Sequence, residues 1–196
     1  YKRGVCIIGS RYSNYLFCNV DSMVNREDLL SPDLLKHCDN VKHVCDLIYN
    51  GVLKDELLRA AEIHDLGKYF ISDKVLYAPR ALTIPERMVI DMHSQLGYYE
   101  AKMQGENELV CQLIILHHGL AKVGAQAILQ TLEPDVIGLY PYLMAADIYS
   151  AVRETRSYHK GKTHEEAMSI LRDIKDIPTG IKDIVGDIKD VVGEII

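Results

Sequence analysis

The chain has 196 residues, 48% hydrophobic and 26% charged, enough for one domain with a sizeable core. A formal net charge of −6 excludes the broad basic field that holds a nucleic-acid polymer, while a small phosphorylated substrate stays open because bound cations supply positive charge locally. No apolar run approaches the roughly 18–20 residues of a membrane span, and five cysteines (Cys6, Cys18, Cys38, Cys45, Cys111) without a CxxC pair point to reduced thiols in a cytoplasmic protein.

The first residue is Tyr1 rather than Met, so a longer parent chain with an upstream segment is expected. Residues 1–30 read as a separate N-terminal arm. Short apolar runs at 5–8 and 16–20 flank Gly9-Ser10-Arg11 and Ser13-Asn14, the pattern of a short β-hairpin. From Ser31 the period becomes helical. Ser31-Pro32 offers a cap and a first-turn proline, and Val41, Val44, Leu47 and Ile48 follow at helical spacing up to Asn50-Gly51. A second helix carries Leu57, Leu58 and Ala61 up to His64. Thr83 and Glu86 form a capping box for a helix expected to run to Met103. Further helices are expected from Asn107 to His118, from Pro134 to Arg156, and after the Thr163–Glu166 capping pair. With no strand pattern after residue 30, residues 31–172 are expected to form an all-α bundle.

Residues 173–196 differ. Ile174, Ile177, Ile181, Ile184, Ile188, Val191 and Ile195 alternate three- and four-residue spacings, and residues 181–187 (IKDIVGD) nearly recur as 188–194 (IKDVVGE). This is a seven-residue repeat with an apolar seam. Two readings follow for this amphipathic tail: a terminal helix docked on its own domain, or a homodimer contact. Its polar face carries more Asp and Glu than Lys, which argues against an anionic membrane surface.

The sharpest chemical signal is His64-Asp65-Leu66-Gly67-Lys68 at the end of an apolar helix. An adjacent His and Asp can bind one metal while the second Asp oxygen bridges to another. Gly67 is expected to let the backbone turn, and Lys68 to offer a mobile cation for phosphate. Asp33 and His37 stand at i and i+4 on one helix face, and His37 leads the stripe Val41–Val44–Ile48 toward the core. His93 lies on the capped helix, four residues before Gly97. His117-His118 end an apolar helix. Asp147 sits within Leu143-Met144-Ala145-Ala146-Asp147-Ile148, where an unpaired carboxylate is expensive to bury. Taken singly, each reads as an ordinary core or surface residue; presented by five helices together, they read as a converging set. His43 falls on another face than His37 and is left out. His159 and His164, among Lys160, Gly161 and Lys162, read as solvent-exposed.

In this order the residues become recognisable. His37, His64-Asp65-x-Gly67-Lys68, His93-x-x-x-Gly97, His117-His118 and Ala146-Asp147 resemble the HD-GYP branch of the HD superfamily over residues 31–172. Further similarity lies in Ser72-Asp73-Lys74-Val75-Leu76 with Leu82-Thr83, in Asp147-Ile148-Tyr149-Ser150-Ala151, in Arg156-Ser157-Tyr158 and in Thr163-His164-Glu165-Glu166-Ala167. The resemblance implies an HD-domain helical bundle that binds two or three divalent metals, often iron or manganese, and hydrolyses cyclic di-GMP. It implies one metal on His37, His64, Asp65 and Asp147, with Asp65 bridging to a second on His93, His117 and His118. Asp33 stands where some members carry a Glu that admits a third metal. The chain departs from the branch after His118. Where the family continues with Glu and a Gly-Tyr-Pro loop, this chain has Gly119-Leu120-Ala121-Lys122-Val123-Gly124, and Tyr140-Pro141 comes only later.

The expected chemistry is in-line attack on a phosphodiester by a metal-bridging hydroxide. Asp65 and Lys68 would be the catalytic pair, with Lys68 on a non-bridging oxygen and Arg156 holding a second phosphate. The partner would be a small phosphorylated substrate, a nucleotide by this reading. Three alternatives stay open: another nucleotide or phosphomonoester, a metal-binding regulatory module without turnover, and a di-iron oxygenase of the wider superfamily.

Overall fold

The computed structural model describes residues 25–155 and 160–188. The two runs of the expected N-terminal hairpin, Arg156, His159 and all but the first residue of the second tail repeat lie outside them.

The described elements are α1 (Arg26–Leu29), α2 (Pro32–Ile48), α3 (Lys54–Ile63), a 3₁₀ turn (Leu66–Phe70), α4 (Asp73–Leu76), α5 (Ile84–Asp91) and α6 (His93–Met103). They continue with α7 (Glu108–Leu116), α8 (Val123–Gln126), a short 3₁₀ turn (Leu129–Thr131), α9 (Val136–Arg153), α10 (His164–Asp173) and α11 (Thr179–Asp187). No strand occurs among the described residues, as the helical periodicity predicts. Leu29 and Leu30, at the end of the expected arm, are buried in the core.

The helix starts follow their local chemistry. Ser31 accepts from Leu34 N with Pro32 behind it, and Asn107 accepts from Val110 N. Thr83 with Glu86 and Thr163 with Glu166 form reciprocal capping boxes. At the centre, α2, α3, α7 and α9 pack together through Val41, Val44, Leu57, Ala61, Leu113, Leu143 and Ala146, all fully buried. The run from Val110 to Leu116 is buried all round, so α7 is the bundle's internal helix rather than an amphipathic surface one.

Two helix boundaries depart from the sequence reading. The single helix expected from Thr83 to Met103 is two, α5 and α6. The ladder tightens at Met92, whose N–H bonds the Val89 carbonyl at 3.2 Å, and His93 begins a new helix. The helix expected from Pro134 to Arg156 runs from Val136 to Arg153, and Glu154 turns extended (φ −67°, ψ 135°).

In the tail, Ile177, Ile181, Val185 and Ile188 are buried, with α11 packed on α2, α9 and α10. The described part of the seam therefore docks on its own domain. Ile184 is its outward-facing member. No helix among the described residues is long and apolar enough to cross a membrane.

Candidate metal centre

Five elements end or pass at one place in the bundle. His37 lies in the second turn of α2. His64 closes α3, with Asp65 next to it. His93 opens α6, His117 closes α7 with His118 following, and Asp147 lies within α9. Gly119, at φ +93°, stops the chain after the histidine pair, its N–H bonding the Leu116 carbonyl at 2.7 Å.

Three of the rings are anchored alike. His64 Nδ1 donates to Ala61 O at 2.8 Å, His93 Nδ1 to Ile90 O at 2.6 Å, and His117 Nδ1 to Ile114 O at 2.5 Å. Each carbonyl lies three residues back, in the last turn of α3, α5 or α7, where the regular i+4 donor is missing. With the proton committed to Nδ1, every Nε2 carries a lone pair directed inward. His93 Nε2 lies 3.1 Å from His117 Nε2 and 3.1 Å from His118 Nε2. For His93 and His117, both protonated on Nδ1, lone pairs facing at that distance repel unless a cation lies between them. His64 Nε2 is buried and has no hydrogen-bond partner among the described residues. This donor chemistry fits a metal ion.

The potential ligand atoms fall into two groups, His37–His64–Asp65 and His93–His117–His118, each with its atoms within 4.8 Å of one another. Asp65 faces both. Its Oδ2 lies 3.8 Å from His37 Nε2 and 3.6 Å from His64 Nε2, while its Oδ1 lies 3.3 Å from His93 Nε2. Asp147 spans the same gap more loosely. Its Oδ1 is 3.1 Å from His37 Nε2 and 3.8 Å from His64 Nε2, and its Oδ2 is 3.9 Å from His118 Nδ1. Lys68 Nζ donates to Asp65 Oδ2 at 2.5 Å.

The two groups differ in charge. Burial lowers the His93 pKa to about 4 and, with the neighbouring rings, holds His117 well below its ordinary value. His118 is lowered as well, chiefly by burial. For His37 burial also acts downward, but hydrogen bonds to Asp147 and Glu154 outweigh it and raise the pKa to about 9. Burial opposes ionisation of Asp65 and Asp147. Lys68 and the surrounding rings overcome it at Asp65, and His37 and His64 at Asp147, so both carboxyls stay well below the usual carboxylate range.

Gly67 has a different role from the one expected. Its φ is not positive. A Cβ there would overlap the His93 carbonyl oxygen and lie 2.5 Å from Gly97 N. The HDxGK glycine therefore lets the 3₁₀ turn lie against α6, and it joins the two histidine groups rather than freeing a turn.

Other expectations fall elsewhere. Asp33 is exposed and belongs to neither group, although His37 one turn later is buried. Arg156 lies outside the described residues. His43, half-buried, is in neither group. His164 is buried, not exposed as its polar neighbours suggest, and its Nδ1 lies 2.8 Å from the Tyr149 hydroxyl. Sequence reasoning missed Glu154 and Asn40. Glu154 receives hydrogen bonds from His37 Nδ1 at 2.9 Å and from Asn40 Nδ2 at 3.0 Å. The i, i+3 spacing of His37 and Asn40 was available as a signal, whereas Glu154 becomes a neighbour only through the fold.

Comparison with known proteins finds similarity over most of the chain. The sequence profile of the HD domain family matches residues 34–177. The 3'3'-cGAMP-specific phosphodiesterase 1 of Vibrio cholerae is 26% identical over 156 residues, 76% of this chain and 36% of the relative. The cyclic di-GMP phosphodiesterase response regulator RpfG of Xanthomonas campestris pv. campestris is 30% identical over 141 residues, 68% of this chain and 37% of the relative. A cyclic di-GMP phosphodiesterase of Vibrio cholerae is 31% identical over 124 residues, 59% of this chain and 25% of the relative. The chain thus spans little more than a third of the length of these relatives at most.

Proposed function

The chain belongs to the HD domain family, and from that premise we propose that it is a metal-dependent phosphodiesterase acting on a cyclic dinucleotide. In this reading two divalent ions, iron or manganese, are held by His37, His64, Asp65 and Asp147 on one side and by Asp65, His93, His117 and His118 on the other. One observation carries the reading: the single carboxylate of Asp65 turns one oxygen to each histidine group. Mixed imidazole and carboxylate donors without thiolate suit iron or manganese. Cys38 stays outside the set, because burial pushes its thiol pKa well up. The exposed position of Asp33 favours two ions over three.

When bound, such ions supply Lewis acidity toward a phosphate oxygen and lower the pKa of water. The chain's own residues do the rest. Backbone carbonyls fix three rings with Nε2 inward, and burial keeps His93, His117 and His118 neutral and therefore able to donate lone pairs. Lys68 Nζ, against Asp65, is within reach of a non-bridging phosphate oxygen beside that carboxylate. The His118 side chain, 31% exposed, marks the side on which the centre meets solvent and a substrate enters. Arg156 is proposed for the second phosphate on sequence grounds.

The relatives' activities, on cyclic di-GMP and 3'3'-cGAMP, support the substrate class. The segment Gly119 to Gly124, in place of the family loop, favours a second reading in which another nucleotide is hydrolysed. Both are tested with Mn²⁺- or Fe²⁺-loaded protein on the two cyclic dinucleotides, linear nucleotides and a phosphomonoester, with products resolved by chromatography. Linear dinucleotide released from a cyclic one, and lost in Asp65→Ala, is the expected result. Loaded protein inert on every substrate would contradict hydrolysis.

A further inference from the structure

His37 stands apart from the other anchored rings. His64, His93 and His117 dock Nδ1 on carbonyls in a last helical turn, where the regular i+4 donor is missing. His37 lies inside α2 (Pro32–Ile48), where the carbonyl three residues back is committed to the helical ladder. A mid-helix ligand needs its second anchor from a side chain. Glu154, one residue past the end of α9, turns extended and brings a buried carboxylate there. Its two oxygens lie 2.9 and 3.1 Å from His37 Nδ1. Asn40 Nδ2, one turn along α2 from His37, donates to the same Glu154 Oε1 at 3.0 Å and fixes the carboxylate in turn.

We propose that Glu154 is a positioning residue for the His37 side of the centre, fixing the tautomer and ring orientation that turn His37 Nε2 toward Asp65 and Asp147. The inference rests on the reading of His37 as a metal ligand. A carboxylate on the distal nitrogen also makes the imidazole a stronger donor than a backbone carbonyl does. No local pattern marks this role, because Glu154 falls between the matched runs 147–151 and 156–158 and lies on a different element from the histidine it serves.

The test is calorimetric titration of the chelator-treated full chain with Mn²⁺, for the wild type, Glu154→Gln, Glu154→Ala and His37→Ala, with a thermal melt of each. Glu154→Ala is expected to weaken one of two Mn²⁺ equivalents by about 10–100-fold and leave the other unchanged. Glu154→Gln keeps an acceptor for Nδ1 but not the charge, and is expected to recover much of that loss. His37→Ala should lose the same equivalent outright. If His37→Ala loses an equivalent while both Glu154 variants bind like the wild type, the proposal is overturned and the metal reading stands. If His37→Ala itself binds like the wild type, the metal reading fails first. Equal weakening of both equivalents in step with a lower melting temperature would make Glu154 merely structural. Should Glu154→Ala not fold, a selective loss in Glu154→Gln decides the matter.

Discussion

His64, His93 and His117 are held by carbonyls of last helical turns, whereas His37, inside a helix, is held by a carboxylate brought from another element. The two halves also differ in charge. Around His37 lie Asp65, Asp147 and Glu154, and with no cation at Nε2 their negative charge raises the ring's pKa to about 9. Around His93 lie His117 and His118, and burial keeps all three rings neutral. One half is rich in negative charge and the other is a set of lone pairs. Asp65 belongs to both, which is why a helical bundle can present one continuous centre from elements far apart in sequence.

The largest effect is expected from removing what the halves share. Asp65→Ala should lower phosphodiesterase activity at least about 10²–10³-fold, the scale of losing one electrostatic partner at a reacting centre. A steady-state assay on a cyclic dinucleotide checks it.

A pH series on chelator-treated protein separates the halves. The folded pKa of His93 is depressed from 6.5 to about 4, so the unfolded chain binds more protons and stability falls as pH drops through that window. The folded pKa of His37 is raised from 6.5 to about 9, so its contribution is full below 6.5 and is lost as pH rises toward 9. Stability should therefore peak near neutrality, falling by roughly 3 kcal/mol on the alkaline side and by more on the acid side, where His117 adds to His93. Urea midpoints across the range measure this. In His37→Ala the alkaline fall should vanish while the acid fall remains.

Gly67→Ala tests the mechanical junction. Its Cβ would press the 3₁₀ turn off α6, at about 1–3 kcal/mol, with metal binding weakened in both halves. The smallest effect is expected outside them. Thr163→Ala removes the cap of α10 at about 1 kcal/mol. Melting temperature should drop while metal stoichiometry stays unchanged.

Much of this was legible in the sequence, and the failures have physical reasons. Helix starts at Pro32, Ile84, Glu108 and His164 were readable because capping chemistry is local. The histidines and carboxylates of the centre were readable because buried polar residues interrupt apolar helical runs. The division between α5 and α6 was not readable, because Met92 carries no breaker residue. The packing role of Gly67 is not legible, because its close approach to His93 O is a contact between separate segments. Burial of His164 depends on Tyr149 from another helix, and Glu154 on a chain reversal after α9. The misses at Gly67, His164 and Glu154 are long-range contacts that no local pattern encodes.

In the proposed reading both halves hold metal and share Asp65. Elemental analysis of protein purified without added metal, beside Asp65→Ala prepared identically, tests this. Two iron or manganese ions per wild-type chain and at most one in the variant are predicted. A wild-type chain without metal, or a variant that keeps two ions, would contradict it.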